Sequence, residues 1–401
     1  MYNKSNARQP RANNSGWGKK FSNNSRSRGR KFTGDKIDIR RFINRAEPTK
    51  PEEVFVPENS FATLAIHEKL KQSIANRKFT HPTPIQDKAI PTILAGHDVI
   101  GLANTGTGKT AAFLIPLIHK ILLNPSEKVL IVVPTRELAI QIQDEFFALA
   151  QRMYIFSVVV VGGASIHRQI MELGRRHNMV IGTPGRLKDL IERKRLDLSK
   201  FNNVVLDEAD RMLDMGFIND VKLLLSLMTE KRQTMLFSAT FSTEIENLVN
   251  KFLTNPQKIS IVTRETSKQV DQDIVRVTGG KDKIDVLHEL LKQTHFEKVL
   301  VFTRTKNGAD ILSKKLYQRG LKADSIHGDK PHNKRQQALK QFKENMIDIL
   351  VATDVAARGL DIPNVSHVIN FDIPATYSDY VHRIGRTGRA DKKGVALTFV
   401  N

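Results

Sequence analysis

The 401-residue chain reads as an α/β protein of two tandem domains, each a doubly wound parallel sheet, behind a disordered basic N-terminal tail. Three observations carry this expectation. Short apolar runs alternate with longer helical patterns over most of the chain, as in strands joined by helical crossovers. The alternation breaks once, in a polar stretch without periodicity at 262–273, and then restarts. The length also suits two cores, because a single core stops growing at roughly 250–300 residues.

Residues 1–50 form the expected tail. Up to about residue 45 they are Asn, Ser, Gly, Lys and Arg with little to bury, so ordering them costs entropy without an offsetting core. They hold 14 Lys and Arg against 3 Asp and Glu, a net of +11 out of +21 for the whole chain. The first domain, 55–261, has expected strands at 98–103, 128–133, 157–161, 179–181, 204–206 and 234–237. A linker is expected at 262–272. The second domain, 273–401, follows with expected strands at 298–302, 322–326, 348–351, 367–370 and 395–400, and the sequence stops where a covering helix is expected next.

The +21 charge and pI near 10.0 point to a polyanionic partner, nucleic acid before acidic lipid. With no cysteine, disulfides, thiolate nucleophiles and thiolate zinc sites are excluded. No apolar run approaches the roughly 20 residues of a membrane span, and residues 1–30 lack a secretory core. A soluble, cytoplasmic monomer is expected.

The stretch ANTGTGKT (103–110) follows an apolar strand and opens an apolar helix, the order required of a phosphate-binding loop. Backbone amides across Thr105, Gly106, Thr107 and Gly108 can cradle phosphate oxygens. The Lys109 ammonium reaches the terminal phosphates and the Thr110 hydroxyl ligates Mg²⁺. Ala103 stands where the strict pattern has glycine. About 100 residues on, the apolar run at 203–206 ends in Asp207, Glu208, Ala209 and Asp210. Strand C-termini line the ligand crevice of an open α/β sheet, so Asp207 falls beside the Mg²⁺ held by Thr110. Glu208 can orient and deprotonate a water, with Asp210 holding the geometry.

Together with further segments, these resemble the DEAD-box ATP-dependent RNA helicases of helicase superfamily two, which tolerate Ala at position 103. The matches are PTPIQ (82–86) with Phe79 before it, PTREL (134–138), Gly162-Gly163, TPGR (183–186) and SAT (238–240). VFTRT (301–305), HGD (327–329), ATDVAARGLD (352–361) and YVHRIGRTGR (380–389) follow in the second domain.

The resemblance implies two RecA-like domains that close on ATP and single-stranded RNA. It implies that Gln86 bonds the adenine edge, Phe79 stacks on its face and Asp361 contacts the ribose. Arg386 and Arg389 become arginine fingers, while Ser238, Thr240 and His382 couple the carboxylates to closure. RNA contacts are implied at Arg136, Gly163, Thr183, Arg186, Gly328, Arg335 and Thr353, mostly to phosphate and ribose and so nearly blind to sequence. Three positions depart from the family: His332 where Gln usually contacts RNA, Asn345 where Gly is common, and Lys78 where Gly precedes the aromatic. The expected activity is ATP-driven local unwinding of short RNA duplexes. An ATP-gated RNA clamp, and an ATPase that does not use nucleic acid, are the alternatives.

The tail has a direct test. Deleting residues 1–45 is expected to weaken RNA affinity and flatten its salt dependence, each neutralised phosphate on a single strand contributing about −0.7 to the slope. Turnover at saturating RNA is expected to survive, because the tail supplies no transition-state contact.

Overall fold

Strands buried on both faces need near-continuous apolar sequence, and those runs build the centre of both sheets. The structure, a computed structural model, describes residues 37–45, 55–104, 106–261, 270–280, 282–357, 362, 365–388 and 394–400. The first sheet contains β1 (Val99–Leu102), β2 (Val129–Val132), β3 (Ser157–Val160), β4 (Met179–Gly182), β5 (Asn203–Leu206), β6 (Gln233–Ser238) and β7 (Gln257–Ser260). Its order is β3-β4-β2-β5-β6-β1-β7, and the paired strands are parallel. β5, β6 and β1 are neighbours, with Leu206 opposite Leu236 and Leu102 opposite Ser238. This register brings the loop after β1, the carboxylates after β5 and the hydroxyl end of β6 to one edge.

The second sheet contains β8 (Val270–Arg276), β9 (Val299–Phe302), β10 (Ala323–Ile326), β11 (Ile349–Ala352), β12 (His367–Asn370) and β13 (Gly394–Val400), in the order β10-β11-β9-β12-β13-β8, again parallel. An apolar layer covers each face of each sheet. Among the described residues no helix is long and apolar enough to cross a membrane.

Three boundaries differ from expectation, each for a local reason. β7 was not expected because, as an edge strand, it buries only Ile259. β8 begins inside the expected linker and ahead of the expected second domain. Its pattern is hidden by Gln272, a buried polar residue whose amide oxygen accepts the Tyr380 hydroxyl at 2.9 Å. The rest of that linker, 262–269, lies outside the described residues.

The third correction concerns the tail. Residues 37–45 are not free chain: Ile39–Phe42 form a 3-10 turn, and Phe42 is completely buried in the second domain's core. The apolar residues of this segment, Ile37, Ile39, Phe42 and Ile43, span too short a basic stretch to establish a helix or strand period. The remainder of the expected tail, 1–36 and 46–50, lies outside the described residues. The chain therefore packs on the second domain before it builds the first.

The backbone at Lys78 and Asn345, where the resemblance leads us to expect glycine, shows why glycine suits both positions. Both follow helix ends, after Glu68–Asn76 and His332–Lys343, and both adopt φ of +57°. That left-handed backbone costs an L side chain roughly 1–2 kcal/mol, against about 0.5–1 kcal/mol of extra chain entropy for glycine. Lys78→Gly is expected to raise stability by roughly 0.5–1 kcal/mol, with a smaller gain for Asn345→Gly because Asn tolerates this conformation. Denaturant melts of the two variants check this, and a loss of stability in Lys78→Gly would contradict it.

Candidate active site

At the edge where β1, β5 and β6 meet, the loop after β1 turns into the helix Lys109–Leu123 through Gly108 at φ +92°. A Cβ at Gly108 would stand 2.5 Å from Gln86 Nε2 and 2.9 Å from Thr83 Oγ1, so any side chain would displace the contacts that shape the loop. Those contacts are specific. Gln86 Nε2 donates to the Gly108 carbonyl at 3.0 Å, its Oε1 accepts the Thr83 N–H at 3.0 Å, and Thr83 Oγ1 donates to the Thr107 carbonyl at 2.8 Å. Thr107 Oγ1 in turn donates to the Asn104 carbonyl at 2.8 Å. Gln86 thus starts the helix Pro84–Leu94 and holds the loop in the same stroke.

Lys109 is buried and donates from Nζ to the Ala103 carbonyl at 2.7 Å. Phe79, half-buried between the Arg77 guanidinium and Phe61, completes the wall. A cavity of about 480 Å³ results, lined by Phe79, Gln86, Gly106, Gly108, Lys109, Thr110, Asp207 and Glu208 among others.

The carboxylates sit in low-dielectric surroundings with unequal compensation. Burial pushes the Asp207 carboxyl up to about 6, Lys109 opposing the shift and Glu208 and Asp210 adding to it. Burial would raise Glu208 too, but Arg211, Lys109 and Arg386 together hold it below the ordinary carboxylate range. Glu208 therefore stays ionised. Its backbone takes φ +53° as the N-cap of Ala209–Asp214, a strained conformation of order 1–3 kcal/mol for a non-glycine residue. One turn on, Arg211 forms a buried ion pair with Glu208, a partner the sequence reading missed although its i, i+3 spacing was visible.

Asp210 faces the other way. Its Oδ2 accepts the N–H of Ala239 at 3.1 Å, and both the N–H and the hydroxyl of Thr240 at 2.9 and 3.1 Å, while its own N–H donates to Ser238 Oγ at 3.3 Å. The expected grouping of Asp210, Ser238 and Thr240 is present as one hydrogen-bonded knot.

The second domain reaches this edge through the helix Tyr377–Ile384 and the residues after it. Arg386 is buried, and its charge acts on Glu208. His382 is half-buried on the same helix. Arg383, not anticipated, fixes that helix with a two-pronged pair to Asp354 at 2.6 and 2.8 Å and bonds to Asn370 Oδ1 and the Asp372 carbonyl. Thr105, Asp361 and Arg389 lie outside the described residues.

A second cleft of about 380 Å³ is lined by Arg136, Gly162, Thr183 and Arg186 from the first domain and by Gly328 and Arg335 from the second. The Arg136 guanidinium lies across Gly162 and Gly163, where a Cβ on Gly163 (φ +75°) would meet Nη1 at 2.0 Å. Burial first, then the neighbouring Arg335 and Arg186, push Arg136 below its ordinary value, with Glu137 opposing. Arg186 is anchored to Gln169 Oε1 at 2.8 Å and to the Ala164 carbonyl at 3.2 Å. Thr353 is buried next to β11. Arg335 bridges the domains, its Nη2 lying 2.7 Å from Glu137 Oε1 with both side chains buried. The helix His332–Lys343 begins at His332.

Comparison with known proteins agrees with this geometry. The DEAD/DEAH box helicase family matches residues 83–248, and the helicase conserved C-terminal domain matches 282–391. The ATP-dependent RNA helicase CshA of Listeria monocytogenes is 48% identical over 342 residues, 85% of this chain and 66% of the relative. CshA of Limosilactobacillus reuteri is 46% identical, covering 85% of this chain and 69% of its own. The chain spans about two thirds of the length of these curated relatives. Among solved structures, S. cerevisiae Dbp5 bound to RNA and ADP BeF3 is similar at TM-score 0.75 and 32% identity, covering 85% of this chain and 89% of that one. DEAD-box helicase Mss116 bound to ssRNA and UDP-BeF is similar at TM-score 0.77 and 32% identity, covering 86% and 76%.

The Glu137–Arg335 pair is a testable hold on the cleft. Removing one partner of a buried pair leaves an uncompensated charge, a cost of about 3–5 kcal/mol that separating the domains relieves by hydrating the survivor. Glu137→Gln is expected to shift the protein toward an open arrangement, read as a larger radius of gyration in X-ray scattering. An unchanged scattering profile would contradict it.

Proposed function

This chain belongs to the DEAD-box family of ATP-dependent RNA helicases, and on that premise we propose that it unwinds short RNA duplexes locally as its two domains close on ATP and one RNA strand. The observation that carries the reading is the composite site, in which Glu208 of the first domain lies in the field of Arg386 of the second. Such a site is complete only when the domains are together, so turnover is gated by closure.

In this reading Phe79 and Gln86 hold the adenine, and Asp361 the ribose. The backbone of residues 105–108 and the Lys109 ammonium bind the phosphates. Thr110 and Asp207 fit a Mg²⁺ ion: a carboxyl whose burial raises it to about 6 gains most from a nearby cation. Among the described residues no three His, Asp or Glu converge to hold a metal, which suits an ion that keeps waters and leans on substrate phosphates. Bound there, Mg²⁺ would neutralise charge on the phosphates. Glu208, held ionised, orients the attacking water and takes its proton. Arg386 and Arg389 stabilise charge on the transferring phosphoryl group. The Asp210, Ser238 and Thr240 knot ties the carboxylates to the end of β6, and His382 sits at the junction.

RNA is proposed to bind through Arg136, Gly163, Thr183, Arg186, Gly328 and Thr353. Arg335 enters this list with a qualification that its geometry supplies. Its guanidinium is paired with Glu137, so its contribution to RNA binding runs through holding the two halves of the cleft together. Contacts of this kind address phosphate and ribose, and a strand that must follow both domains bends away from its complement when they close.

Glu208→Gln is expected to keep ATP and RNA binding while turnover falls by at least about 10²-fold, the low end for a lost catalytic base. The variant stalls closed, so its RNA release in the presence of ATP is slower than that of the wild type. Single-turnover ATPase assays and RNA dissociation rates check both, and release at the wild-type rate would refute the role.

A further inference from the structure

We propose that residues 38–44 are a strap that positions Arg386, with Phe42 and Arg41 as positioning residues for the ATPase step. The inference rests on the reading of Arg386 as the arginine that reaches the phosphoryl group.

The strap is built onto the outer edge of the second sheet. Asn44 and Gln272 exchange N–H···O bonds of 3.0 and 2.7 Å, an antiparallel bridge on β8, the edge strand. Asp38 opens the 3-10 turn by accepting the Arg40 N–H at 3.0 Å. The turn directs Phe42 inward and leaves Arg41 at the surface. The Phe42 ring lies 4.8 Å from that of Tyr380, and the Arg41 guanidinium lies 3.6 Å above the Tyr377 ring. Tyr377 and Tyr380 stack at 5.7 Å, and the Tyr380 hydroxyl donates to Gln272 Oε1 at 2.9 Å. Strap, edge strand and helix Tyr377–Ile384 therefore close into one ring of contacts.

What this helix carries turns a packing contact into a mechanistic one. Arg386 follows the helix by two residues, and its N–H donates to the Arg383 carbonyl at 3.1 Å. Near its C-terminal end the helix is fixed by Arg383 on Asp354. Arg383 also bonds to Asn370 and the Asp372 carbonyl, and the Thr387 hydroxyl, one residue past Arg386, donates to the Val365 carbonyl at 2.6 Å, so these anchors lie at the C-terminal end of the helix. The strap adds anchors at Tyr377 and Tyr380, near the opposite end, and so sets the direction in which Arg386 leaves the helix. From Arg45 the chain passes to the first domain, where the N–H groups of Glu58 and Asn59 donate to Asp87 at 3.0 Å each. Asp87 lies next to Gln86 on Pro84–Leu94. The stretch of chain that packs on the helix presenting the arginine is thus followed in sequence by one that hydrogen-bonds to the helix holding the phosphate loop.

A strap that only completes the core would change melting and leave chemistry alone. A positioning strap changes kcat, because a misplacement of about 1 Å can cost on the order of 10²-fold in rate. RNA-stimulated ATPase at saturating RNA is measured for the full chain, for deletions of residues 1–36 and 1–45, and for Arg41→Ala, Phe42→Ala, Phe42→Leu and Arg386→Ala. Deletion to 36 is expected to keep kcat. Deletion to 45, which a wholly free tail would leave without effect on turnover, and Phe42→Ala are instead expected to lose roughly 10- to 100-fold in kcat with little change in the KM for ATP, because the adenine and phosphate contacts lie in the first domain. Phe42→Leu restores most of the loss by refilling the cavity. Arg41→Ala, a surface change that leaves folding intact, loses about threefold or more. Normal kcat in folded Phe42→Ala overturns the proposal, and where that variant does not fold, normal kcat in Arg41→Ala overturns it. Normal turnover in Arg386→Ala overturns the arginine reading and the strap with it, whereas a loss there beside normal strap variants overturns the strap alone.

Discussion

Two adjacent carboxylates buried at the end of one strand set the terms for the rest of this molecule. Asp207 and Glu208 are both buried, and neither can stay ionised there without cations brought close. Lys109 comes from the loop after β1, Arg211 from one turn along the same helix and Arg386 from the other domain. The compensation is uneven, leaving Glu208 below the ordinary range and Asp207 raised to about 6. The better-paired acid stays charged, and the poorly paired one has the most to gain from a further cation.

Because one of the compensating cations belongs to the second domain, electrostatics and domain arrangement are linked. The Glu137–Arg335 pair links the domains at the second cleft, as the charge of Arg386 acting on Glu208 does at the first. Two residues past Glu208, Asp210 forms its knot with Ser238, Ala239 and Thr240. It is a short hydrogen-bonded connection between the end of β6 and the helix that follows the buried carboxylates.

Backbone conformation supplies what side chains cannot. Gly108 and Gly163 are compelled by close approach, one by Gln86 and Thr83 and the other by Arg136. Glu208 occupies a left-handed conformation in spite of its side chain, and the cost is carried by the packed end of β5. Lys78 and Asn345 occupy the same region at helix ends, where nothing in the described contacts requires a side chain.

Much of the fold and of the candidate site was legible in the sequence. Buried parallel strands announce themselves as apolar runs, and a phosphate loop, an acidic strand exit and an arginine-rich helix end each occupy consecutive residues, so spacing alone reveals them. β7 and β8 stayed hidden because one is an edge with a single buried residue and the other buries a glutamine. The strap stayed hidden because Ile39, Phe42 and Ile43 sit in a basic stretch too short to establish a period. Likewise the partnerships Glu137 with Arg335, Arg383 with Asp354 and Tyr380 with Gln272 join residues between 29 and 198 positions apart in sequence. Local order along the chain determined which chemistry this protein carries. Only the tertiary structure decided which charges share a cleft and what holds the helix that presents Arg386, because pairing across space depends on packing that no single stretch of sequence contains.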